Sequence, residues 1–231
     1  MFINSKIGVQ NAKSLSSNTI PTCVRAFRID KRCNDLGTGL GGKATINLVT
    51  KERQIGQTYL EAAKTKFTKN YKGMNPSKIT TTVGLNIGKI DIAGIRFNFW
   101  DLGGQEELQS LWDKYYAESH AVIYIVDSSD RDRIPDSKET FDRVISSEHL
   151  RGVPLLVLAN KQDIPDCMGV REVKPIFNQN AHLIGRRDCM VMPVSAINGD
   201  GVDEGIHWLV DCVKRNSDVR PPRNQDDSCL S

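Results

Sequence analysis

Six cysteines (Cys23, Cys33, Cys167, Cys189, Cys212 and Cys229) are spread through this chain without a single C-x-x-C pair or a disulfide-like framework. Their spacing fits idle or buried thiols in a reducing compartment, so a cytoplasmic protein is expected. No apolar run approaches the roughly 18 residues that a membrane-spanning helix needs. Any membrane contact is therefore expected to be peripheral. The second residue is Phe2, not a glycine open to myristoylation, and Cys229 stands one place short of a prenylation box. Internal repeats are absent. Acidic residues are missing from residues 1 to 29, which carry Lys6, Lys13, Arg25, Arg28 and several serines. That composition faintly resembles an organelle transit peptide, but it lacks an amphipathic apolar stripe and reads as a basic disordered segment over residues 1–43. Residues 1 to 57 hold nine Lys/Arg against three Asp/Glu, whereas residues 58 to 231 hold 22 against 25. The basic excess thus belongs to the first quarter of the chain, and no nucleic-acid partner is expected.

From Thr58 onward the pattern becomes regular. TYLEAAKTKF sets Leu60, Ala63 and Phe67 on one face of a helix. IGKIDIAGIRFNFWD, residues 87–101, alternates on either side of Ala93-Gly94 and reads as a two-stranded hairpin. AVIYIVD (121–127) and PLLVLAN (154–160) are continuous apolar runs, as expected of strands covered on both faces, and VMPVSA (191–196) is a shorter candidate. Helical patterns separate them: Phe141, Val144 and Ile145; Val173, Ile176 and Phe177; then Ile206, Leu209, Val210 and Val213. This alternation predicts an α/β fold, a mostly parallel sheet wrapped by helices, spanning residues 44–216. Residues 217–231 read as a loose polar tail.

In such sheets ligands bind beyond the carboxyl ends of the strands, and several motifs fall there. WDLGGQ follows the hairpin: Asp101 can hold a Mg²⁺ water, Gly103 and Gly104 let backbone amides approach a terminal phosphate, and Gln105 can orient an attacking water. Alone, Asp-Leu-Gly-Gly reads as easily as a tight turn. NKQD (160–163) ends an apolar strand; a carboxylate at Asp163 can accept two hydrogen bonds from the N1 and N2 edge of guanine, a donor pair that adenine lacks. Lys161 can lay its methylene stem across the base. Ser195-Ala196 could present a backbone N–H to the guanine O6. Thr82, just before the hairpin, can sense a γ-phosphate through Mg²⁺, although β-branched residues opening an edge strand are an equal account.

With WDLGGQEELQSLWDKYYAE, VDSSDRDR, LVLANKQD and IGRRDC, residues 58 to about 223 resemble the Arf family of small GTPases. The resemblance implies a P-loop small-GTPase fold with an atypical N-terminal segment, and a monomeric GTP/GDP switch with slow hydrolysis. It places nucleotide contacts on Asp101, Leu102, Gly103, Gly104, Gln105, Asn160, Lys161, Gln162, Asp163, Ser195 and Ala196. Gln105 becomes the catalytic, water-positioning residue, and Thr58 and Thr82 the Mg²⁺ ligands. Leu85, Trp100 and Tyr115 fall on the hydrophobic triad that reads effectors, with a leucine where an aromatic is usual. Ordinary core packing is the other account of Trp100 and Tyr115. The implied partners are an exchange factor, a GTPase-activating protein, effectors and a receptor at the trans-Golgi membrane.

One element departs from the family. Where its glycine-rich phosphate loop should end in Gly-Lys-Thr-Thr, this chain has TKERQIGQT (50–58), with Gly56 or Gln57 in the lysine's place. Only Thr58 keeps a hydroxyl. GTGLGGKAT (37–45) has Gly37 and Gly42-Lys43 at phosphate-loop spacing, but it lies too far before the helix and is expected to be a decoy. ATINLV (44–49) is the expected central strand. The break in resemblance at residue 57 or 58 suggests an alternative or misjoined first exon, and it leaves a nucleotide-impaired interaction module as the second expectation.

Overall fold

The computed structural model describes residues 42–51, 54–79, 85–102 and 112–221. A six-stranded sheet runs in the order β2-β3-β1-β4-β5-β6. Its strands are β1 (Gly42–Val49), β2 (Leu85–Ile92), β3 (Ile95–Leu102), β4 (Ala121–Asp127), β5 (Leu155–Asn160) and β6 (Cys189–Pro193). All neighbouring pairs are parallel except β2 with β3. Helices α1 (Ile55–Phe67), α2 (Trp112–Tyr116), α3 (Ile134–Ile145), α4 (Val170–Phe177), α5 (Ala181–Ile184) and α6 (Val202–Arg215) connect and cover it.

ATINLV does form the central strand. Ala44, Ile46 and Leu48 are fully buried in a core shared with Tyr59, Leu60 and Ala63 of α1 and Ile206, Leu209 and Val210 of α6. The opposite face holds Val49 with Tyr124 and Val126 of β4, Trp112 and Tyr116 of α2, and Phe141 and Val144 of α3. Period-2 alternation thus feeds two separate apolar layers from one strand. Thr45 and Asn47 are the buried polar exceptions on the second face; Asn47 is fully buried, and its Nδ2 donates to the Tyr115 carbonyl at 3.3 Å.

The hairpin closes at Ala93 (φ 52) and Gly94 (φ 80), the paired positive φ values that a two-residue turn of the right twist requires. Gly42 and Lys43 extend β1 two residues before the expected start, so the domain begins slightly inside the segment read as disordered. The rest of that segment, residues 1–41, lies outside the described residues. At the other end, Arg220 donates to the carbonyls of Ser119 and His149, and His120 Nε2 meets the Pro221 carbonyl at 3.1 Å. The first two residues of RPPRNQDDSCLS are therefore tied to the body, where the sequence suggested a loose tail.

Strand order reverses between β1 and β4, since β1 is followed by the β2–β3 hairpin on one side and by β4 on the other. The crevice at the carboxyl ends of these strands is where an open α/β sheet receives a ligand.

Candidate functional site

β5 delivers the first group. Its last residue, Asn160, is buried, and the next, Lys161, takes φ 69, a left-handed conformation that costs a non-glycine residue of order 1 kcal/mol or more. That turn swings the chain back toward the end of β6. There Asn160 Oδ1 accepts the Ala196 N–H at 3.0 Å, and Asp163 Oδ1 accepts the Ser195 hydroxyl at 2.5 Å. Ser195 Oγ also receives the Asn198 N–H at 3.3 Å. The Gln162 N–H donates to the Val194 carbonyl at 3.2 Å, and its side chain to the Met168 carbonyl at 3.0 Å.

The loop after β6 is itself held tightly. Ser195 pairs with Asp200 in an isolated bridge, and Gly201 (φ 74) sits where a Cβ would lie 2.5 Å from the Pro193 carbonyl oxygen. Only glycine fits this corner.

Sequence reasoning missed one member of the group. Asp127 ends β4 directly opposite Asn160 in the register, and its Oδ2 lies 2.5 Å from Lys161 Nζ. Its Oδ1 takes the Ser129 N–H at 3.0 Å and the Ser129 hydroxyl at 2.6 Å. The carboxylate is buried while the lysine stays partly exposed, so the pair fixes the Lys161 stem across the mouth of the crevice. The signal was present in VDSSD, and only the register of adjacent strands reveals its partner.

The β1–α1 end is built differently. Thr58, expected as a metal ligand, donates its hydroxyl to the Gln54 carbonyl at 2.8 Å and lines a cavity of about 170 Å³ with Glu61, Met74, Ile79 and Ala196–Gly199. Asp101 is buried against Gly56: a Cβ at Gly56 would fall 2.0 Å from Asp101 Oδ1. Residues two apart on a helix do not share a face, so Thr58 and Asp101 are not brought together. Leu102 is buried in the second core. Gly103, Gly104, Gln105 and Thr82 lie outside the described residues. Among the described residues, Asn160, Lys161, Asp163, Ser195 and Ala196 are thus brought together at one end of the crevice.

Lys43 stands within β1 opposite Arg96, not in a loop. GTGLGGKAT therefore ends inside β1, and its first five residues, 37–41, lie outside the described residues.

Trp100 and Tyr115 are half-buried and meet edge-to-face with ring centroids 5.3 Å apart. Leu85 and Tyr115 pack against the rim of the second core, and Ile87, opposite Trp100, is exposed. Leu85, Ile87 and Trp100 thus share one face of the hairpin, and Tyr115 of α2 packs on Trp100.

Comparison with known proteins matches the ADP-ribosylation factor family to residues 40–213. The chain is 60% identical over 169 residues to ADP-ribosylation factor-related protein 1 of Rattus norvegicus, covering 73% of this chain and 84% of that one. It is 43% identical over 166 residues to ADP-ribosylation factor-like protein 3 of Saccharomyces cerevisiae, covering 71% and 83%. Among solved structures, the Arl6 BBS3 small GTPase of Trypanosoma brucei with bound nucleotide analogue GppNp superposes with a TM-score of 0.65 at 27% identity, covering 75% of this chain and 98% of that one. The family match begins at residue 40, upstream of the break seen in the sequence, and so takes in β1. With its sheet order, strand-end motifs and three lines of similarity in agreement, the chain belongs to the ADP-ribosylation factor family of small GTPases.

Proposed function

We propose that this chain is a guanine-nucleotide switch of Arf type working at the cytoplasmic face of Golgi or vesicle membranes, with its nucleotide held mainly at the base end. The observation that carries the proposal is the Asn160–Asp163 turn, bonded through Ser195 and Ala196 to the end of β6. Asp163 would accept from guanine N1 and N2, Lys161 would cover one face of the base, and Asn160 and Ala196 would border its O6 side. The bonds among these side chains hold them in one arrangement, which lowers the ordering cost of binding. The Leu85, Trp100 and Tyr115 strip supplies an apolar surface for effectors.

Gln105 would orient the attacking water, with slow intrinsic turnover raised by an activating protein that contributes an arginine. Exchange factor, activating protein, effectors and Golgi receptor are the partner classes this role requires. The missing phosphate lysine favours one competing reading, a pseudo-GTPase that uses the same fold as an interaction module. Competition binding on the purified chain tests the proposal. GDP and GTP should displace a fluorescent guanine nucleotide while ADP and ATP do not; equal displacement by adenine and guanine nucleotides would refute it.

A further inference from the structure

Gln57 joins α1 to β2. Its side chain is buried, and the amide is used at both ends: Oε1 accepts from Asn86 Nδ2, and Nε2 donates to Glu61 Oε1 at 3.1 Å. Glu61 is buried as well. Its Oε1 takes the Lys64 ammonium at 2.9 Å, and its Oε2 takes the Tyr71 hydroxyl at 2.7 Å and the Met74 N–H at 3.0 Å. A continuous chain of hydrogen bonds therefore runs from β2, along two successive turns of one face of α1, to residues 71–74. Asn86 stands opposite Asp101 in the β2–β3 register, and Asp101 fills the space beside Gly56. With Gly56 read as the lysine's place, Gln57 falls at the position that follows the phosphate lysine in a Gly-Lys-Thr-Thr loop, and any side chain at Gly56 would displace the Asp101 carboxylate.

We infer that the side-chain amide of Gln57 replaces a divalent cation as the link between α1 and β2, so that this chain takes up guanine nucleotide without a metal. Mg²⁺ demands oxygen ligands in near-octahedral array at about 2.0–2.1 Å. Here the one new oxygen on α1, Gln57 Oε1, already serves Asn86, and the amide nitrogen beside it is a donor that repels a cation. Breaking the amide's bonds to admit an ion would leave the half-buried Asn86 amide without this acceptor and take one of the two donors from Glu61 Oε1, which costs more than the bonds contribute.

The nucleotide half of this inference rests on the guanine-site reading above; the latch half does not. Calorimetric titration with GDP should give the same affinity in excess Mg²⁺ and in EDTA; a gain of about tenfold or more with Mg²⁺ overturns the inference. Hydrogen exchange on the full chain judges the latch separately, with Mg²⁺ itself as the probe. In Gln57→Ala the amides of β2 around Asn86 should exchange about tenfold faster than in the parent, and Mg²⁺ should leave both proteins unchanged. Unaltered exchange in Gln57→Ala, or slower exchange on adding Mg²⁺, overturns the latch. If GDP binds under neither condition, the guanine-site reading falls, and the exchange result alone upholds or overturns the link between α1 and β2.

Discussion

The two ends of the crevice differ in what holds them. At the ends of β4, β5 and β6, polar side chains are bonded to one another so that their remaining capacity points outward: Asp163 gives one oxygen to Ser195 and keeps the other, and Lys161 is steered by Asp127. Between β1, α1 and β2 the polar groups are consumed internally, with Gln57 and Glu61 spent on Asn86, Lys64, Tyr71 and Met74. A binding site keeps free valence and a scaffold does not. The base end has the first character and the phosphate end the second.

The largest expected effect lies at the base end. Asp163→Asn turns one acceptor into a donor facing the guanine donors, at the cost of two charge-assisted bonds of about 1.5–3 kcal/mol each. The preference for GDP over ADP should fall by about two to four orders of magnitude in competition binding. Retained preference would move base recognition away from NKQD. At the phosphate end the expected change runs the other way. Replacing TKERQIGQT with a glycine-rich loop ending in Gly-Lys-Thr-Thr should tighten GTP binding by about two orders of magnitude, since it restores at least two such bonds. The whole loop must change, because Gly56→Ala alone drives a Cβ into Asp101 and should cost about 1–3 kcal/mol of stability by thermal melting. A Gly56→Ala protein as stable as the parent would show that Asp101 can move aside.

How far this contrast could be read in advance depended on what each signal was. Continuous apolar runs marked β4 and β5 to within a residue, because strands covered on both faces carry no other pattern. ATINLV was recognisable from Ile46, Leu48 and Val49. The strand end at β6 was not: VMPVSA suggested 191–196, yet the ladder stops at Pro193 and the Val194 N–H turns to the Ala159 carbonyl. α1 begins three residues before Thr58, at Ile55, although no Ser, Thr, Asp or Asn precedes it; Gln54 enters in a left-handed conformation with no side-chain cap. The partners of Gln57 and Asp127 needed the strand register, which no local spacing carries.

Acid should separate the two ends further. Burial opposes ionisation of Glu61, but the bonds from Lys64, Tyr71 and the Met74 N–H outweigh it and hold its carboxyl below the usual range. The Tyr71 hydroxyl, half-buried and bonded to that carboxylate, is pushed up to about 12 and stays protonated throughout. Because the folded-state value of Glu61 is depressed, its stabilisation is complete above the ordinary glutamate pKa of about 4.3 and is lost as pH falls through the lower folded value. Glu61→Gln should therefore lower the melting temperature near neutrality, by the equivalent of about 1–3 kcal/mol, and flatten the loss seen in the parent below about pH 4. Parallel pH profiles for the two proteins would show that Glu61 does not link α1 to residues 71–74.

The smallest effect is expected at Lys43, and its smallness is informative. Lys43 stands at the second position of β1 and the crevice lies beyond the last, Val49. Six residues of strand at about 3.3 Å each put roughly 20 Å between them, well beyond the reach of a lysine side chain. A phosphate lysine must instead sit after the strand, where the helix N-terminus turns its N–H groups toward the ligand. Lys43→Ala should leave GDP affinity unchanged and shift stability by no more than about 0.5 kcal/mol, the usual range for a substitution away from core and site. Tight GDP binding by the parent that vanished in Lys43→Ala would mean that the strand slides or unravels at Gly42 to deliver its lysine. The difference between the two ends of the crevice would then be a property of one conformation and not of the fold.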